Sequence, residues 1–154
     1  MALISSSDQD QLRQAFADMT RRVRLVFFTQ TLGCDTCQQT RQILDELPLL
    51  SDRITIDEVN LILERDKAAA FGVDRAPAIA VTYRESSPEP SDEDQAWKDS
   101  RIRFLGTPGG YEFVSLVQAV LLAGGRVPQL SEASRQRLAA VDRPVRMQVF
   151  TTPT

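Results

Sequence analysis

Val23-Arg24-Leu25-Val26-Phe27-Phe28-Thr29, followed after three residues by Gly33-Cys34-Asp35-Thr36-Cys37, is the stretch that decides the fold. The first segment is rich in β-branched and aromatic residues and has few polar interruptions, which predicts a strand buried on both faces. From Cys34 the pattern predicts a helix that stops before Pro48, since the residue preceding a proline disfavours helical geometry. A buried strand that leads into a helix is the first half of a βαβ unit.

The segments on either side predict the rest of an α/β domain. A helix precedes the first strand, and a βαβ start followed by a ββα end predicts a mixed four-stranded sheet with helices on both faces. The further predicted strands are Ile54 to Asn60, Ala78 to Arg84 and Arg101 to Leu105. The further predicted helices begin at Ser7-Asp8, Glu64, after Gly110 and at Ser131.

Length and charge restrict the class of protein. The chain has 154 residues, enough for one domain of ordinary size. Its net charge is -3, whereas a nucleic-acid binder is expected to carry an excess of basic residues. No apolar run approaches the roughly 18 residues needed to span a bilayer. The N-terminal residues carry neither a basic segment nor an apolar core, so we expect an intracellular, cytoplasmic protein without a membrane or nucleic-acid partner.

The absence of histidine removes several chemistries. It excludes Ser-His-Asp and Cys-His nucleophile pairs and every histidine-ligated metal site. Cys34 and Cys37 are the two cysteines, too few for a disulfide-stapled scaffold or for a four-ligand zinc site within one chain. We therefore expect no metal and no cofactor other than the cysteine pair itself.

Cys34 and Cys37 are the candidate catalytic residues. A cysteine at the start of a helix lies near unpaired N–H groups and the positive end of the helix dipole, which favour the thiolate. Cys34 can then attack a substrate disulfide, and Cys37, one turn on and less exposed, can release the mixed disulfide. Two alternatives remain: half of a metal site shared across a dimer interface, and two small buried residues.

The two residues between the cysteines, Asp35 and Thr36, are expected to tune the couple. A carboxylate beside Cys34 disfavours a second negative charge, and no histidine or lysine offsets it. We expect only a modest lowering of the thiol pKa and a reductant-like couple. Asp57, on the second strand, has two interpretations: a proton acceptor for Cys37 or a solvent-facing carboxylate.

Three further features stand outside the cysteine motif. Ala76-Pro77 directly precedes a strand, where proline is either an ordinary trans residue at a strand start or a cis residue. The acidic run from Glu85 to Asp99 is predicted to be a solvated loop, with partner docking as the alternative. Near the C-terminus, 145–151 matches the Val, Arg, Phe and Thr positions of 23–29, which indicates either a repeat or chance similarity.

Taken together, these motifs resemble the thioredoxin/glutaredoxin superfamily. More closely, they resemble the N-terminal unit of the glutaredoxin-like protein disulfide oxidoreductases, which carry two thioredoxin-fold units in tandem, each beginning with an extra helix. The resemblance implies a unit over 1–141, a linker over 142–144, and at 145–154 the first strand of a truncated second unit. It also implies a thioredoxin-like α/β fold with an extra N-terminal helix and a C-terminal stub strand.

The resemblance also implies roles for individual residues. Cys34 would be the attacking thiolate, Cys37 the resolving thiol, and Pro77 a cis-proline beside the disulfide. Ala76 would present its backbone to an extended substrate segment. The implied activity is thiol–disulfide exchange on protein disulfides, with a thioredoxin-reductase-like electron donor.

Two alternative functions remain open. The chain also resembles the N-terminal domain of the alkyl hydroperoxide reductase flavoprotein, a tandem thioredoxin-fold module that passes electrons to a peroxiredoxin. In that family the first unit has lost its dithiol, so the Cys34–Cys37 pair argues against an electron relay. The other alternative is a redox-inert docking or metal-sharing domain.

Overall fold

The computed structural model describes residues 4–85 and 97–151, which form one four-stranded sheet and five helices. The strands are β1 (Arg21–Thr29), β2 (Ile54–Asn60), β3 (Ala78–Glu85) and β4 (Lys98–Leu105). The helices are α1 (Ser6–Ala17), α2 (Cys37–Asp45), α3 (Arg65–Ala70), α4 (Tyr111–Ala123) and α5 (Glu132–Ala139). The sheet order is β2-β1-β3-β4.

β1 occupies the interior of the sheet, as its composition predicts. It runs parallel to β2 and antiparallel to β3, and β3 in turn pairs antiparallel with β4. The four central residues Leu25 to Phe28 are all at most 2% exposed. The mixed four-stranded sheet expected from the sequence is confirmed, because a strand buried on both faces needs a neighbour on each edge and cover on each side.

Side chains from successive positions of β1 enter two separate cores. Leu25 and Phe27 belong to the larger core, together with residues of α1, α2 and α4. Val26 and Phe28 belong to the smaller core, together with Ala68 of α3. The alternation follows from the two-residue period of a strand, which directs neighbouring side chains to opposite faces of the sheet.

The structure shifts the beginnings of several predicted elements, α1 and β4 among them. α1 begins earlier than the Ser7-Asp8 signal indicates, because Ser5 is the N-cap and its hydroxyl accepts from the Asp8 N–H. β4 begins at Lys98, three residues before the predicted start, because Tyr83 of β3 still pairs with Lys98. Most of the acidic run predicted to be a loop, 86–96, lies outside the described residues.

The C-terminal part of the chain makes little contact with the domain. α5 has the Ser131 cap that the sequence predicts, but all of its residues except Ser134 are exposed. The predicted stub strand, 145–151, is neither helix nor strand, and all of it is exposed. A strand needs a hydrogen-bonded neighbour, so this prediction is wrong for the chain as it stands. The assignment of 145–154 to a second unit stays a prediction.

No helix among the described residues is long and apolar enough to cross a membrane.

A buried hydroxyl ties α2 to the loop between β4 and α4. Thr40, on α2, has no exposed surface, and its hydroxyl donates to the Thr36 carbonyl at 2.9 Å. The same oxygen lies 2.8 Å from the Thr107 hydroxyl, so these two side chains share a hydrogen bond across 67 positions of sequence. Buried polar groups of this kind stabilise a fold only while their hydrogen bonds are made.

We predict that Thr40→Val lowers the free energy of unfolding by about 1 kcal/mol, because valine keeps the shape but removes both hydrogen bonds. Urea denaturation followed by circular dichroism measures the change. Thr55→Val, at an exposed position of β2, is the matched control and should leave stability nearly unchanged. Equal stability of Thr40→Val and the unmodified protein would contradict a structural role for this hydroxyl.

Candidate redox site

Cys34 and Cys37 form a disulfide directly after the turn that follows β1, with a Cα–Cα distance of 5.5 Å. Gly33 precedes the pair with a φ of 73°, a left-handed conformation that residues with a Cβ rarely adopt. The side-chain amide of Gln30 donates to the Gly33 carbonyl at 3.1 Å and closes the turn. This backbone path places the first cysteine at the end of the sheet toward which β1 runs.

The predicted helix start at Cys34 is wrong by three residues. α2 begins at Cys37, with Thr36 as its N-cap, and Cys34 lies in the turn before it. The backbone N–H of Cys37 still donates to the Cys34 carbonyl at 3.4 Å, which curls the turn toward the helix. Cys34 therefore lies beside the N-terminal end of α2, where the positive end of the helix dipole is closest.

The two sulfur-bearing residues differ in exposure in the predicted direction. Cys37 is 6% exposed and packs in the larger core, whereas Cys34 is only partly buried. An incoming thiolate or disulfide can thus reach Cys34 first. Cys37 lies within bonding distance of the Cys34 sulfur and can attack that sulfur once a partner is bonded to it, which is the second of the two roles that thiol–disulfide exchange requires.

Ala76 and Pro77 lie beside this disulfide-bearing end of the sheet. Phe28 of β1 pairs with Ala78 of β3, so the residues just before β3 adjoin the residues at the end of β1. Pro77 is buried and its peptide bond with Ala76 is cis. Ala76 is partly buried and packs against the same core as both cysteines. Topology thus brings together two motifs that lie about forty residues apart in the sequence.

Asp35 and Thr36, the residues predicted to tune the couple, are both exposed. The Thr36 carbonyl accepts from the Thr40 N–H and hydroxyl, both at 2.9 Å, and from the Thr107 hydroxyl at 3.5 Å. The backbone between the two cysteines is therefore anchored from its buried side. The Asp35 carboxylate remains on the solvent side, next to Cys34 in sequence.

Thr107 and Pro108 are neighbours of the site that sequence reasoning missed. Both lie in the loop before α4, where the Thr-Pro-Gly-Gly pattern indicates a turn but carries no signal for contact with α2. Pro108 is buried, and with Gln39 and Ile43 of α2 it lines a cavity of about 290 Å³. The pairing of Thr107 with Thr40 could be found only from the tertiary structure.

Asp57 does not lie on the same face of the sheet as Cys37. It stands opposite Val26, whose side chain enters the smaller core, whereas Cys37 packs in the larger core on the other face. Its carboxylate accepts from the Lys67 ammonium at 2.9 Å and is partly exposed. The interpretation of Asp57 as a proton acceptor for Cys37 is therefore wrong, because strand register sends its side chain away from the disulfide.

The arrangement can carry out thiol–disulfide exchange. One sulfur is accessible, the second is buried within bonding distance, and a helix N-terminus stabilises negative charge on the first. Across residues 4–85 and 97–151, no three side chains of the histidine, cysteine, aspartate and glutamate types come together in a way that could hold a metal ion.

Comparison with known sequences relates the chain to part of larger proteins. No protein-family model matches it. It is 26% identical over 153 residues to the F subunit of alkyl hydroperoxide reductase of Staphylococcus epidermidis. That match takes in 99% of this chain but 25% of the relative, so the chain spans about a quarter of the length of that protein.

Comparison with solved structures relates the chain to thioredoxin-like domains. The N-terminal domain of the alkyl hydroperoxide reductase AhpF from Enterococcus faecalis superposes with a TM-score of 0.75 and 24% identity, covering 91% of this chain and 62% of that one. A protein disulfide oxidoreductase from Aeropyrum pernix gives a TM-score of 0.68 and 21% identity, covering 88% and 54%. The chain therefore has a thioredoxin-like fold, in which the Cys34–Cys37 disulfide lies just after the end of β1.

Proposed function

We propose that the chain is a thiol–disulfide oxidoreductase unit that reduces disulfide bonds of proteins through the Cys34–Cys37 couple. The observation that carries the proposal is the disulfide itself, held with one partly exposed and one buried cysteine beside a helix N-terminus. Its fold is shared with the protein disulfide oxidoreductase of Aeropyrum pernix, which supports the same chemistry here.

The reaction transfers two electrons from the reduced pair to the substrate. The Cys34 thiolate attacks one sulfur of a substrate disulfide, forms a mixed disulfide and expels the other substrate sulfur as a thiolate. The Cys37 thiolate then attacks the Cys34 sulfur, which releases the second substrate thiol and leaves the Cys34–Cys37 disulfide. The substrate thiolates take up protons from solvent. A dithiol or a thioredoxin-reductase-like donor must then reduce the couple again.

Protein substrates fit the surroundings of Cys34 better than small disulfides do. Leu32, two residues before Cys34 in the sequence, is 85% exposed and offers apolar contact to a protein partner. Ala76 lies just before the start of β3, where its backbone groups could pair with an extended segment. The couple needs no further cofactor, and a cytoplasmic location would keep it supplied with reductant.

An electron relay to a peroxiredoxin is the second candidate. The observation that favours it is the similarity to the F subunit of alkyl hydroperoxide reductase, which extends over 99% of this chain. Both candidates use the same exchange chemistry at the same cysteines. They differ in the protein that receives the electrons, so rates with different acceptors distinguish them.

We predict that the purified protein reduces the interchain disulfides of insulin with dithiothreitol as reductant, measured as turbidity of the released chains. Cys34→Ser should reduce the rate to that of dithiothreitol alone, because the attacking sulfur is lost. Cys37→Ser should slow turnover, because only dithiothreitol can then release the substrate. Without dithiothreitol, the reduced variant mixed with insulin should accumulate a mixed disulfide, visible by mass spectrometry. Gln42→Ala, at an exposed position of the same helix, should behave as the unmodified protein does.

Full turnover by Cys34→Ser would disprove the proposed mechanism, since Cys37 would then suffice as a nucleophile. Absence of any mixed disulfide with Cys37→Ser, despite normal folding, would show that Cys34 does not attack the substrate.

We predict that the reduced protein transfers electrons to insulin at least as fast as to a bacterial peroxiredoxin in its disulfide form. Stopped-flow mixing of the reduced chain with each acceptor, monitored by intrinsic fluorescence, gives the two rate constants. A much larger rate constant with the peroxiredoxin would instead support the relay. Because both acceptors meet the same dithiol, a difference between the two rate constants reflects the acceptors and not the reduction potential of the Cys34–Cys37 couple.

A further inference from the structure

The loop between β4 and α4 is bonded to both halves of the redox site through two consecutive residues. The Gly106 N–H donates to the Pro77 carbonyl at 2.9 Å. The hydroxyl of Thr107, the next residue, lies 2.8 Å from the buried Thr40 hydroxyl and 3.5 Å from the Thr36 carbonyl. One short segment is therefore hydrogen-bonded to the residue just before β3 and to the N-terminal turn of α2.

The hydroxyl protons determine the direction of the hydrogen bonds made by Thr107. A threonine hydroxyl has one proton to donate and can accept as well. Thr40 donates its proton to the Thr36 carbonyl at 2.9 Å, so Thr107 must be the donor in the 2.8 Å contact between the two hydroxyls. The result is a chain of hydrogen bonds from Thr107 through Thr40 to the Thr36 carbonyl, and bonds in such a chain strengthen one another.

This chain of hydrogen bonds ends on the peptide bond that joins Thr36 to Cys37. The carbonyl of that bond also accepts from the Thr40 N–H at 2.9 Å. Because a peptide bond is planar, holding its carbonyl also fixes the direction of the Cys37 N–H and the position of the Cys37 Cα. The side chain of Cys37 is 6% exposed and packs in the larger core, so its sulfur has little freedom once this backbone is held.

Cys34 is supported by a different hydrogen bond. It follows Gly33, whose carbonyl accepts from the Gln30 side-chain amide at 3.1 Å. These residues lie in the turn that leaves β1, whereas the contacts of Thr107 lie on the α2 side of the cysteine pair. A change at Thr107 is therefore expected to loosen the backbone before Cys37 and to leave the turn before Cys34 in place.

Release of a substrate from the mixed disulfide depends on where the Cys37 sulfur is held. In this resolution step the Cys37 thiolate forms a bond with the Cys34 sulfur, the bond between Cys34 and the substrate breaks, and the substrate sulfur leaves as a thiolate. Both reacting cysteines belong to one chain, so the rate depends on how well the Cys37 thiolate is oriented toward its target. The earlier attack by Cys34 on the substrate does not use the Cys37 sulfur.

We infer that Thr107 is a positioning residue for this resolution step. Its hydroxyl holds Thr40 and the peptide bond before Cys37, and through them it orients the resolving sulfur toward Cys34. The adjacent bond from Gly106 to the residue before β3 holds the loop itself against the sheet. The inference rests on the proposed function, because resolution requires that Cys34 first forms a mixed disulfide.

Thr107→Val tests the inference, because valine keeps the shape of the side chain and removes the hydroxyl. The reduced full chain is mixed by stopped flow with an excess of an aromatic disulfide that releases one coloured thiolate on attack and another on resolution. The rate of the first release rises with the disulfide concentration, and at high concentration the rate of the second does not. We expect Thr107→Val to slow the second release about tenfold and to leave the first unchanged.

Thr107→Ser keeps a hydroxyl and should restore the rate of the second release. Thr55→Val, the exposed control on β2, makes the same substitution away from the loop and should give both releases at the rates of the unmodified protein. Circular dichroism reports whether each variant folds. If Thr107→Val does not fold, Thr107→Ala and Thr107→Ser, which differ by a single oxygen atom, decide the same question.

An unchanged second release in Thr107→Val would overturn the inference, as would equal slowing of both releases, which would indicate a general disturbance of the fold. Resolution by Thr107→Ser as slow as by Thr107→Val would show that the hydroxyl is not responsible and would also overturn it. Failure of the proposed function gives a different result, since the unmodified protein would then release no more thiolate than Cys34→Ser does.

Discussion

β1 is hydrogen-bonded along both edges, to β2 and to β3, and its central side chains are buried on both faces of the sheet. This double pairing fixes where the chain leaves β1 at Thr29 and where β3 begins at Ala78. The turn containing Cys34 and the Ala76-Pro77 segment therefore meet at one end, although neither motif encodes that proximity. The register between β1 and β3 therefore decides which residues adjoin the two cysteines.

The two faces of the sheet have different amounts of cover, and their chemistry differs accordingly. On one face, α1, α2 and α4 bury the larger core, into which Cys37 packs. On the other face, the short helix α3 covers only the half nearer the disulfide, and charged side chains occupy the remainder. The sulfur of Cys37 and these charged side chains thus lie on opposite faces of the sheet.

The loop before α4 is hydrogen-bonded to α2 and to the backbone between the two cysteines. The Thr107 hydroxyl meets the buried Thr40 hydroxyl and also approaches the Thr36 carbonyl, which lies between the two cysteines. The backbone of the exchange site is consequently held by side chains that take no part in the chemistry. Movement of α2 relative to the sheet would require these hydrogen bonds to break in a buried environment, where their loss is costly.

Local sequence determined the elements of the sheet, the buried character of β1 and the difference in exposure between the two cysteines, because each depends on residues a few positions apart. Capping geometry moved the start of α2 from Cys34 to Cys37, and strand register placed Asp57 on the face away from the disulfide; periodicity alone could decide neither. Tertiary structure alone brought Thr40 to Thr107 and stacked Arg24 on Trp97, since these contacts join residues more than sixty positions apart. Short-range patterns are specified by propensity and spacing, whereas such pairs form only after strand order and helix packing have fixed the distance between them.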